Sequence, residues 1–161
     1  MTTKIWEQDE SHVQCSFGNV FYTYTRGNAS PERITKMVRT LDAFLKEHRG
    51  GKVGYLFHVV AGASPPSNED RERVTEMFNK HADRLAGVAV VVEAAGFSGA
   101  MLRSVVTMVF VMTRRGFESR TFEDVHSAAA WLAPRCGTTA NEIVRAAAEA
   151  RPPAPPASRI A

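Results

Sequence analysis

Two stretches, Val53–Val60 and Val88–Glu93, are apolar at almost every position instead of at alternate ones. A strand with one solvated face alternates; a run apolar on both parities must be covered on both. Each stretch has strand length, and each is bracketed by helix signals. Such a chain is constrained to a layered α/β domain with its central strands sandwiched between helices.

The rest of the chain supplies those layers. His12–Thr25 is rich in Val, Phe, Tyr and Thr and is split at Gly18-Asn19, the pattern of a β-hairpin. Ser30-Pro31-Glu32 places an N-cap, a first-turn proline and an acid where the helix dipole favours it, and predicts a helix to about His48. Its apolar positions Ile34, Met37, Val38, Leu41, Phe44 and Leu45 share one face. Ala61–Pro66 reads as a loop, and Ser67 with Asp70 resembles a capping box that opens a helix to about Leu85. A third helix is expected from about Gly99 to Arg115, then a short strand over 117–120. A helix capped by Thr121-Phe122-Glu123-Asp124 should follow and end near Ala133-Pro134. The fold class predicted is α/β: an N-terminal hairpin, then alternating helices and strands in a mixed, largely parallel sheet with helices packed on it.

The expected organisation is a tail over 1–11, the α/β domain over 12–133, a short helical extension over 134–150 and a Pro-rich disordered tail over 151–161. At 161 residues a single domain is the expectation. The net charge of +3 is spread among acids rather than gathered into a basic stripe, so nucleic acid is not indicated. Cys15 and Cys136 lack metal-ligand spacing, and no histidine pair has the spacing of a helical metal site, so neither metal nor cofactor is expected. The polar N-terminus carries no secretory pattern, pointing to the cytoplasm.

The hairpin, helix, buried strand, helix and Val88–Val92 run, closed by Phe117, Phe122, Ala128, Trp131 and Leu132, together resemble the SpoIIAA-like branch of the STAS superfamily over about 12–133. The resemblance implies a small bacterial α/β domain that is not an enzyme, that regulates through contacts with other proteins, and some of whose relatives hold nucleotide or lipid. Phosphorylatable members carry an Asp-Ser-Gly type motif in a strand-to-helix loop. Here the loosely corresponding residues are Gly62-Ala63-Ser64-Pro65-Pro66-Ser67-Asn68, without that motif.

Four residues are candidates for ligand or phosphate contact. Ser64 and Ser67 precede a helix N-terminus, where phosphate would meet free N–H groups. His58 and Glu93 lie near the ends of the two apolar strands, where open α/β folds place ligands. No catalytic constellation is recognisable. The third helix is apolar around most of its circumference, more than one sheet can cover. Its uninterrupted apolar stretch after Arg103 is too short to span a bilayer. The excess predicts a homodimer contact through Met101, Val105, Met108, Val109 and Met112. The alternatives are plain core, or the wall of a cavity for a small hydrophobic ligand.

Overall fold

The computed structural model describes residues 1–60, 65–112 and 116–154, with only the backbone of Met112. Six strands form one mixed sheet in sequential order: β1 (Thr3–Gln8), β2 (His12–Phe17), β3 (Val20–Thr25), β4 (Val53–Val60), β5 (Leu85–Glu93) and β6 (Ser119–Phe122). β1, β2 and β3 are antiparallel; β3, β4, β5 and β6 run parallel. The three crossovers carry α1 (Pro31–Glu47), α2 (Asn68–Lys80) and α3 (Gly96–Met112). Strands added in one direction by crossovers of one hand put all three helices on the same face. The other face is covered by α4 (Val125–Cys136) and α5 (Ala140–Ala150).

Each face has its own core. Under α1–α3 an aromatic series runs from Phe44 through Phe21, Tyr55 and Phe78 to Phe110, with centroid separations of 5.3–5.8 Å. Such offset and edge-on pairs add to what burial alone contributes. Under α4 and α5, Val13, Cys15, Tyr22, Leu56, Ala89 and Val91 meet Ala128, Leu132, Ile143 and Ala147. Cys15 and Cys136 are buried free thiols, and burial pushes the Cys15 thiol up to about 12.

Several boundaries differ from the sequence expectation. Residues 3–8, expected in a tail, form edge strand β1. Its Trp6 packs edge-on against Phe44, and the indole Nε1–H donates to Ser16 Oγ at 2.9 Å. The closing strand is Ser119–Phe122, not 117–120, because Phe117 is drawn to Phe78 at 5.8 Å. Within the Thr121–Asp124 stretch it is Asp124 that caps α4, accepting from the Ser127 N–H at 2.8 Å. Pro134 does not end that helix: it lies in the last turn, and Gly137 closes it at φ 64°. The 134–150 segment is not an appendage, since α5 commits Ile143, Ala146, Ala147 and Ala150 to the core. Of the expected Pro-rich tail, 155–161 lies outside the described residues, whereas Pro152 is buried.

The tightest approach between layers is at Gly54, where a Cβ would lie 2.3 Å from Cys136 Sγ and 3.0 Å from Leu132 Cδ1. Gly54→Ala should therefore destabilise the protein by about 1–3 kcal/mol in urea denaturation. Adding Cys136→Ala should recover part of that loss; strictly additive effects would show that this contact is not the cause.

Candidate functional site

Helix α3 presents two apolar faces. Phe97, Met101, Ser104, Met108 and Val111 follow one another at steps of 4, 3, 4 and 3 and lie on the outer surface. Phe97 is 84% exposed, Val111 79%, Met108 48% and Met101 39%. Leu102, Val105, Val106, Val109 and Phe110 face inward. Val109, expected at an interface, is 7% exposed, because a seven-residue step places it on the same face as buried Leu102. The Met112 side chain lies outside the described residues.

The inner face does not bed fully on the sheet. Between it, α1, α2 and the strands lies a cavity of about 110 Å3. Its body is apolar: Phe57, Val59, Val90 and Val92 from the sheet, Val74 and Phe78 from α2, Val105 and Val109 from α3. Polar lining groups come at one end. His12, Thr25, Val59 and Val92 form one register row across four strands, at the C-terminal edge of the parallel strands. Arg33 and Arg71 also line the cavity; no Asp or Glu does.

Arg33 is held by Ser11 Oγ at 2.7 Å and Thr25 Oγ1 at 3.3 Å, with Asp9 3.6 Å away. Arg71 donates to the Pro66 carbonyl at 3.2 Å and reaches Met108 Sδ at 3.6 Å. No carboxylate among the described residues pairs with Arg71. His12 is 2% exposed; Gln14 Nε2 lies 2.8 Å from its Nε2, and its Nδ1 has no hydrogen-bond partner. Burial, then the Arg33 charge, pushes His12 down to about 4, so the ring is neutral near pH 7.

The sequence candidates divide. His58 and Glu93 come together on the opposite face of the sheet. His58 is fully buried, with Nδ1 3.0 Å from Tyr22 Oη and Nε2 3.1 Å from Glu93 Oε1. The carboxylate is within ion-pair distance of Nε2 but outside hydrogen-bond geometry. Arg151, just past α5, is 3.7 Å from the same carboxylate oxygen and lies over the Tyr24 ring. Burial, then the Arg151 charge, pushes His58 down to about 3. The cluster ties the end of α5 to the sheet, and neither His58 nor Glu93 lines the apolar cavity. Ser67 caps α2, accepting from the Asp70 N–H at 3.1 Å and donating to Asp70 Oδ2 at 2.9 Å. Ser64 lies outside the described residues.

His12, Arg33 and Arg71 were not legible as site residues. The one signal was period-two polarity in His12, Gln14 and Ser16, which ordinarily marks a solvated strand face; here α1 covers it. Among the described residues there is no group of three or more His, Cys, Asp or Glu able to hold a metal, and no helix long and apolar enough to cross a membrane.

A mixed six-stranded sheet with helices on both faces defines a small α/β protein of STAS-like architecture. The chain belongs to the SpoIIAA-like family, whose model matches residues 20–133. β1, β2 and α5 fall outside that match. The chain is also similar to an uncharacterized protein of the DUF3478 family with a SpoIIAA-like fold from Shewanella loihica PV-4. That crystal structure is 19% identical, with 81% of this chain and 93% of that chain covered and a TM-score of 0.49. Comparison with curated proteins yields no match.

His12 and His58 predict a pH dependence. Each is held neutral when folded but is ordinary when unfolded, so below about pH 6.5 the unfolded chain binds more protons. Stability should be full above that pH and fall as pH drops toward 4, by about 1.4 kcal/mol per unit for each histidine. Urea unfolding across this range reads it, and His58→Gln should remove about half the slope. A flat profile between about pH 7 and 5 would contradict the assignment.

Proposed function

We propose that this protein is a non-catalytic SpoIIAA-like binding module of the bacterial cytoplasm that holds a small apolar ligand in the cavity beneath α3. The observation that carries the reading is the cavity itself: a space of about 110 Å3 walled by Val, Leu and Phe, with its few polar groups at one end. Ligand sites are commonly concave, mostly apolar and furnished with few polar groups. The space is somewhat smaller than the roughly 150 Å3 cavity known to take up benzene. The buried, unpaired thiols Cys15 and Cys136 suit a reducing compartment.

Native mass spectrometry of protein purified without added ligand tests for a retained molecule. Saturating 1-butanol should raise the melting temperature by a few degrees. Val109→Trp, which fills the cavity, should abolish that rise while keeping the fold. An unshifted wild type with nothing retained would sink the reading.

A second reading concerns the outer face of α3, proposed as a self-association surface occupied by a second copy of the chain. Its support is the 4, 3, 4, 3 spacing of Phe97, Met101, Ser104, Met108 and Val111, a seam about 21 Å long with a small residue at its centre. Sedimentation velocity should show a dimer, reduced to monomer by Met101→Lys with Met108→Lys at unchanged stability. A monomeric wild type at the highest soluble concentration would exclude it.

A further inference from the structure

The polar end of the cavity says what kind of molecule it takes. Gln14 Nε2 donates to His12 Nε2 at 2.8 Å, so the neutral ring carries its proton on Nδ1. His12 lines the cavity, and its Nδ1 is shielded from water and has no hydrogen-bond partner. A buried donor left unpaired costs about 1–3 kcal/mol, a cost that a ligand acceptor would remove. The charged residues of the lining are Arg33 and Arg71, both cations. Both arginines and His12 are grouped with Thr25 and Pro66 at the C-terminal edge of the parallel strands, where open α/β sheets receive ligands.

We propose that the ligand is a small apolar carboxylate of about four carbons, its chain between α3 and the sheet and its carboxylate oxygen accepting from His12 Nδ1 beside Arg33 and Arg71. The apolar wall binds the chain through burial and discriminates little among heads. The unpaired donor and the two guanidinium groups bind the head. Arg33 is already engaged with Ser11, Thr25 and Asp9, so it acts on the ligand through its charge, whereas Arg71 has no carboxylate partner among the described residues. This inference rests on the cavity being a ligand site, and its test separates the two claims.

Calorimetric titration of the full chain with sodium butanoate and with 1-butanol, which share one alkyl chain, isolates the head group. Butanoate should bind at least about tenfold more tightly near pH 7, the difference expected of one charge-assisted hydrogen bond. His12→Leu should lower the ratio several-fold, leaving only the preference due to the two arginines, while 1-butanol binding persists. Equal affinities in the wild type would overturn the carboxylate and leave the cavity reading standing; no binding of either compound would overturn both. Should His12→Leu fail to fold, long-range 15N–1H correlation on the wild type decides the donor. The Nδ1–H tautomer is expected for His12, and the Nε2–H tautomer would overturn the proposal.

Discussion

Burial of β4 and β5 on both faces is the constraint from which the rest follows. Three successive crossovers of one hand stack α1, α2 and α3 on one side and leave the other bare. Tyr22, Leu56, Ala89 and Val91 would then face water. Among the described residues, the chain beyond β6 covers them. Hence α4 and α5 are obligatory parts of the fold, and Gly54 lets α4 approach closely enough for Cys136 and Leu132 to seat on the sheet.

The same topology explains the cavity. The strand beyond β5 on the α3 side, β6, has four residues and is partly exposed, so α3 finds little sheet beneath it. Its inner residues lean on Phe78 of α2 and on Phe117, and the gap left between them and the sheet is the cavity. A helix apolar on two faces thus bounds a space on one side and meets solvent on the other.

Two buried histidines on opposite faces show how neighbours decide a polar group's role. His58 is enclosed by Tyr22, Tyr24 and Glu93, with Arg151 behind the carboxylate, and its place is structural. His12 has Gln14 on one nitrogen and no hydrogen-bond partner on the other, and it lines the cavity. Both rings are held neutral by burial first and by a nearby arginine second, so the difference lies in what borders each ring rather than in its protonation.

The α/β class, the covered central strands, the Ser30 and Ser67 caps and the unusual apolarity of α3 were all legible in the sequence, because period, capping chemistry and turn residues act over a few neighbouring positions. The last turn of α4 past Pro134, the strand at Thr3–Gln8 and the bounds of β6 were not, since each depends on a partner distant in the chain: the Cys136 carbonyl accepts from Asn19, Trp6 finds Phe44, and Phe117 finds Phe78. The sequence placed His58 and Glu93 at strand ends but could not say that a residue beyond α5 would join them. It showed how much apolar surface α3 carries, a property of composition. Only the tertiary structure decided which of that surface is core, cavity wall or open face, because that depends on how far β6 and α2 extend beneath the helix.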